Sequence, residues 1–348
     1  MIRLPGLIDP HVHFRTPGQE YKEDFLTGTS AALAGGYTTI IDMPNNLQPV
    51  TTLQKLEEKE KIAQKQIICD VGFYFGSLGE NLHEFPNVQD KVLGLKMYLN
   101  QTTGNFVVDT KIFQRVCESW PVGKPILVHA EENILPNILE IAYQTNQKLH
   151  VCHVSSRIEL QTIITAKEKG YKVTCGVTPH HLFLSEEDEQ KLGPFGRMRP
   201  PLRSKKDVEF LWSHLDNIDI IESDHAPHTK EEKLSDKSPF GVPGLETTLP
   251  LLLTAVSQGK LTIVDIQRLC SDNPSKIFGI QQDENTKIEI DENEEWTIKN
   301  ENLFTKCKWS PFDGWKVKGR VEKVVLRGSV VFEKGTLLAK PGQGRIIT

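Results

Sequence analysis

Eight short runs rich in β-branched and apolar residues recur at positions 7–14, 38–43, 69–75, 92–99, 125–129, 149–154, 172–177 and 218–223, and longer amphipathic stretches lie between them. Strand and helix in alternation predict a parallel sheet, and about eight such units is the number that closes a (β/α) barrel. Helix-end signals agree, since the stretch 24–34 is closed by Gly35-Gly36 and the stretch 158–169 by Gly170. After Gly279 the pattern changes to alternating strands at 287–290, 295–299 and 321–332, with charged turns between them. The expectation is an α/β chain: a TIM-like (β/α)8 barrel over residues 1–279 and a small C-terminal β module over 280–348 laid against it. A chain of 348 residues with 38% hydrophobic content has enough apolar surface for a core of that size.

The formal charge of −5, with acidic and basic residues evenly mixed, leaves no basic stripe of the kind nucleic-acid binders carry. No apolar run approaches the roughly 20 residues of a membrane span, and the opening Met1-Ile2-Arg3-Leu4-Pro5 has no signal-peptide form. We expect a cytoplasmic protein with a small-molecule substrate, with neither nucleic acid nor membrane as a partner. The six cysteines are scattered, without a C-x-x-C pair, so reduced thiols are the default, and Cys69, Cys117, Cys270 and Cys307 read as core or neutral positions.

The chemistry is concentrated at the strand ends. In GLIDPHVHFRTPG, His11 and His13 project from one strand face while Val12 faces the other way. Two imidazoles on one face resemble a chelate, although a lone His-x-His pair is equally compatible with hydrogen-bonded core histidines. Further coordinating side chains fall at the C-terminal ends of later strands: Lys96 on the fourth, His129 on the fifth, His153 on the sixth and Asp224 on the eighth. Active sites of parallel barrels sit at that end, and five matching strand ends argue for a metal centre. Lys96, in VLGLKMYL, buries an amine that nothing nearby in sequence neutralises. Burial favours the neutral amine, a nucleophile that can capture carbon dioxide as a carbamate and so become a two-oxygen anionic ligand. The alternative is a lysine that snorkels to the barrel rim.

Ordered motifs along the chain resemble dihydroorotase, within the amidohydrolase superfamily. They are GLIDPHVHFRTPG, MPNN (43–46), GLKMYL (94–99), VHAE (128–131), VCHVS (151–155), TPHHLFL (178–184), RPPL (199–202), SDHAPH (223–228) and GLETTLPLLL (244–253). The resemblance is strongest to the dihydroorotase domain of the multifunctional animal pyrimidine-synthesis polypeptide, and it extends into the tail at KVKGRVEKVVLRG (316–328). It implies two zinc ions per chain, with His11, His13, Lys96 and Asp224 on one, Lys96, His129 and His153 on the other, and carboxylated Lys96 bridging them. It also implies Arg15 and Asn45 as a clamp for a substrate carboxylate, and Arg199, His228 and Thr102 as further substrate contacts. The implied reaction is reversible cyclisation of N-carbamoyl-L-aspartate to L-dihydroorotate in de novo pyrimidine biosynthesis, with Asp224 as both ligand and proton shuttle. A homodimer, and an association with aspartate carbamoyltransferase, are the implied partners.

Two departures from the family pattern bear on the site, and two motif histidines need a reading of their own. The animal domain holds a third metal through a Cys-His pair and a glutamate; here Cys152 and His153 persist but the glutamate position is Gly176. That predicts a two-metal centre in which Cys152 is a small apolar wall. Thr103-Gly104 replaces the phenylalanine of the family's loop pair after Thr102, and His180 and His181 read as structural. His83, His150 and His214 read as surface or helix-end residues. Other cyclic amidases of the hydantoinase and allantoinase type share the barrel and ligands, and Arg15 and Asn45 favour a carboxylate-bearing substrate over theirs. A non-catalytic dihydroorotase-like assembly partner would have lost ligands that this chain keeps.

Overall fold

The computed structural model describes residues 1–101 and 106–348. All eight expected runs form the parallel barrel sheet, in sequence order: Leu7–Val12, Tyr37–Asp42, Asp70–Gly76, Gly94–Tyr98, Ile126–His129, Leu149–Val151, Val173–Val177 and Ile220–Ile221. A parallel bridge between Val12 and His225, with His13 N–H donating to the His225 carbonyl at 2.8 Å, brings the last strand back to the first. The chain ends of the first and eighth units thereby meet at the mouth, where the polar residues lie.

Two strands stop earlier than their composition suggests. The sixth ends at Val151 because His153 takes φ +41°, and Asp224, beyond the eighth, takes φ +45°. A positive φ breaks an extended run at once and costs on the order of 1–3 kcal/mol at a non-glycine residue, a strain that clusters at functional positions. Arg15, at φ +61°, is a third such residue beside the same mouth.

Local signals set the helices. The Asp24 carboxylate caps Phe25–Ala34 by accepting from Thr27 N–H, and Ser156 with Glu159 forms a capping box on Arg157–Glu168. Ile8, Ile41, Tyr74, Leu127, Cys152 and Ile220 make one buried cluster, and the Phe278 ring lies edge-on to Tyr74 at 5.9 Å within it. A larger cluster joins the strands to the surrounding helices, with Phe25, Phe73, Phe113 and Leu160 among its fully buried members.

The tail contributes four strands to a five-stranded antiparallel sheet. Its second strand, Lys287–Thr297, runs through both stretches read separately as 287–290 and 295–299, with a register irregularity between Asp291 and Glu295 that accounts for the interrupted pattern. The stretch 321–332 is a hairpin, Lys316–Leu326 followed by Ser329–Glu333, which turns at Arg327 (φ +49°) and Gly328 (φ +79°). Two successive positive φ values are the signature of a tight turn that follows strand twist. Ile2–Pro5 pairs with Lys287–Thr297, so this sheet also takes a strand from the N-terminus. Among the described residues no helix is long and apolar enough to cross a membrane.

Candidate metal centre

The residues singled out at the strand ends converge. The His11 ring lies 5.3 Å from that of His13 and 5.1 Å from that of His153, and the His153 ring lies 4.6 Å from that of His129. His11, His153 and Asp224 each offer a ligand atom within 4.8 Å of the others. Lys96 is fully buried; its Nζ donates to Cys152 Sγ at 3.1 Å and lies 5.0 Å from the centre of the Tyr98 ring. The rim alternative for this lysine is therefore overturned.

Hydrogen-bond logic shows what kind of group the site accepts. Asn45 Oδ1 only accepts, so at 2.7 Å it assigns the proton of His13 to Nδ1 and leaves Nε2 with a lone pair. Glu222 does the same for His11, its Oε2 lying 3.1 Å from Nδ1. Both bare Nε2 atoms then face one carboxylate oxygen, Asp224 Oδ1, at 3.0 Å for His13 and 3.4 Å for His11. Burial pushes His13 down to about 3, so neutral imidazole is its form near pH 7. Two nitrogen lone pairs and a carboxylate oxygen aimed at one another are the donor set of a cation site. On the opposite side, burial likewise lowers His129 and His153; among the described residues neither His129 Nε2 nor His153 Nδ1 has a hydrogen-bond partner, and the former lies 3.6 Å from Glu131 Oε1. Orphaned buried nitrogens of this kind also fit a metal ion.

Arg15 Nε donates to the Pro227 carbonyl at 3.1 Å, and its Nη2 lies 3.1 Å from His228 Nε2. Arg199 stacks on Phe240 at 4.3 Å, and the Phe240 carbonyl lies 3.0 Å from His228 Nε2, so Arg199 and His228 meet at one residue. Thr102 lies outside the described residues.

Several residues at the site were not foreseen. Lys22 is buried, with Nζ 3.0 Å from Glu232 Oε1 and 3.3 Å from His228 Nδ1. Glu222 is wholly buried; an acid two residues before Asp224 in an apolar run was the available signal, since i and i+2 share a strand face. His150 is a correction to the surface reading: it has no exposed surface, and its Nδ1 pairs with Thr174 Oγ1 at 2.9 Å. Cys152 is in contact with Lys96 as well as forming part of the apolar wall. His181 is held between Thr178 Oγ1 at 2.7 Å and the Pro200 carbonyl at 3.1 Å, whereas His180 Nε2 is buried without a hydrogen-bond partner among the described residues.

The amidohydrolase family model matches residues 2–331. The chain belongs to the amidohydrolase family. It is 48% identical over 347 residues to the multifunctional protein CAD of Squalus acanthias, an alignment that covers 99% of this chain and 16% of that protein. It is 40% identical to the dihydroorotase of Pyrococcus horikoshii, over 99% of this chain and 84% of that one. Among solved structures, the L-hydantoinase (dihydropyrimidinase) from Arthrobacter aurescens superposes with a TM-score of 0.94 at 27% identity, covering 100% of this chain and 89% of that one. The inactive dihydroorotase-like domain of a Chaetomium thermophilum CAD-like multifunctional protein superposes at 0.84 and 28%, covering 100% of this chain and 99% of that one.

Proposed function

We propose that this chain is a dihydroorotase, a cyclic amidohydrolase that interconverts N-carbamoyl-L-aspartate and L-dihydroorotate in de novo pyrimidine biosynthesis. One observation supports the choice of substrate: Arg15 Nη2 lies 3.1 Å from His228 Nε2, and Asn45 is hydrogen-bonded to His13, two residues before Arg15. A guanidinium, an imidazole and an amide suit a carboxylate, which dihydroorotate bears beside its reactive amide.

In this reading His11, His13, Lys96 and Asp224 hold one zinc ion and Lys96, His129 and His153 the other. Lys96 would serve both sites as its carbamate, which its amine would form by adding to carbon dioxide with loss of a proton. Two such ions, when bound, lower the pKa of a water and polarise a carbonyl. The protein's own residues supply the rest. Arg15, Asn45, His228 and Arg199 orient the substrate, with Thr102 as a contact from the following loop. Asp224 accepts a proton from the attacking water and delivers it to the leaving ring nitrogen, and in cyclisation it runs the same transfer backwards. We further propose a cytoplasmic homodimer associated with aspartate carbamoyltransferase.

The likeness to the L-hydantoinase favours a second reading, a cyclic amidase for rings without a carboxylate. The likeness to the inactive domain favours a third, a non-catalytic assembly partner, against which the complete proposed ligand set argues. Turnover of the zinc-loaded chain on carbamoyl aspartate, dihydroorotate, dihydrouracil and hydantoin separates the three. Turnover on the first two alone supports dihydroorotase. Comparable rates on all rings, or none on any, overturn it.

A further inference from the structure

We propose that Glu222 is a positioning residue that aims His11 and His153 into the two halves of the metal centre, and that position 176 is glycine to make room for its carboxylate. The inference rests on the metal-centre reading above. Glu222 reaches from the end of the eighth strand and has no exposed surface. Its Oε2 lies 3.1 Å from His11 Nδ1, on the first strand, and 3.8 Å from His150 Nε2; its Oε1 accepts from the backbone N–H of His153, beyond the sixth strand, at 2.5 Å.

Each contact has a consequence for a proposed ligand. The first fixes the His11 tautomer, because a carboxylate without a proton can only accept, and so leaves Nε2 bare toward Asp224. The second holds the backbone at the residue where the chain takes φ +41° and turns its imidazole toward His129. One anion therefore sets a side chain on one half of the centre and a main-chain turn on the other. Such outer partners of ligating histidines orient the ring and raise its basicity.

Gly176 lies on the seventh strand, between the sixth and the eighth. A Cβ built there would stand 2.5 Å from Glu222 Oε1 and 2.7 Å from its carboxyl carbon, closer than real Cβ contacts come. A side chain at 176 and a carboxylate from 222 thus compete for one volume. Geometry also offers a rival use of the same carboxylate, since Glu222, Cys152 and His11 group closely enough to hold an ion of their own. That use would need the His11 nitrogen facing Glu222 without its proton, so the two roles exclude each other.

The experiment compares the full chain with Glu222→Gln, Glu222→Ala and the double variant Glu222→Ala/Gly176→Asp. The aspartate of the double variant has its carboxyl carbon one bond from the Cβ that Glu222 now excludes. Three readouts are taken: zinc content and affinity by competition with a chelating dye, the visible spectrum of the cobalt(II)-loaded protein, and melting of the metal-free protein. Glu222→Gln, which keeps size but turns an N–H toward one of the two donors, is expected to lose on the order of 10–100-fold in zinc affinity and to shift the cobalt bands. The double variant is expected to bind zinc more tightly than Glu222→Ala. Unchanged affinity and spectrum in Glu222→Gln overturn the inference. So does a loss of affinity with an unshifted spectrum, which marks general loosening, and so does a third zinc ion in the parent that the Glu222 variants alone release. A parent chain that binds no metal refutes the metal-centre reading itself.

Discussion

Asp224 Oδ1 stands 3.0 Å from His13 Nε2, a contact between residues 211 positions apart that exists only because the eighth strand closes on the first. In the proposed role Asp224 takes a proton as its carboxylate, on the oxygen that both imidazoles face. Asp224→Asn keeps the shape and removes the acceptor. We expect a loss of roughly 10²–10⁴-fold in turnover in both directions, the usual worth of general acid–base catalysis. A variant with normal zinc content and turnover within a few-fold of the parent would refute the assignment.

Lys96 is fully buried, with its Nζ 3.1 Å from Cys152 Sγ. Lys96→Ala removes the only bridge in the proposed centre, and two cations facing each other without a shared anion repel. The expected outcome is loss of zinc together with loss of activity, read by metal analysis after dialysis. Full metal content and turnover in that variant would sink the carbamate.

Arg15 decides between ring substrates. Charge-assisted hydrogen bonds are worth about 1.5–3 kcal/mol each, so Arg15→Met is expected to lose on the order of a hundredfold or more in kcat/KM on dihydroorotate. Dihydrouracil, which has no carboxylate for Arg15 to hold, should be a poor substrate of the parent and indifferent to the substitution. Equal efficiency of the parent on the two rings would move the protein toward the hydantoinases.

Leu127 has no exposed surface and packs in the cluster with Ile8, Ile41, Tyr74 and Ile220. Leu127→Ala leaves a cavity between strands that cannot collapse independently, so a cost of about 2–5 kcal/mol is expected in equilibrium denaturation. A cost under about 1 kcal/mol would show that this part of the barrel repacks around the gap.

How much of this was legible beforehand follows from the range of the forces involved. Alternating strand and helix patterns and the His-x-His pair are set by neighbours within a few residues, so composition and spacing predicted the barrel and the coordinating side chains at its strand ends, while their division into two ligand sets rested on the family resemblance. Strand ends were less legible, because His153 and Asp224 adopt positive φ under constraints that come from across the barrel. Nothing local marks Glu222 as the partner of His11, 211 residues away, or explains why position 176 has no side chain. The burial of His150 and the pairing of Ile2–Pro5 with Lys287–Thr297 have the same origin. Sequence alone determined which chemical groups stand at the strand ends. Tertiary structure decided which nitrogen of each imidazole is bare and which carboxylate holds it, because a hydrogen bond acts over about 3 Å and only barrel closure brings those groups that near.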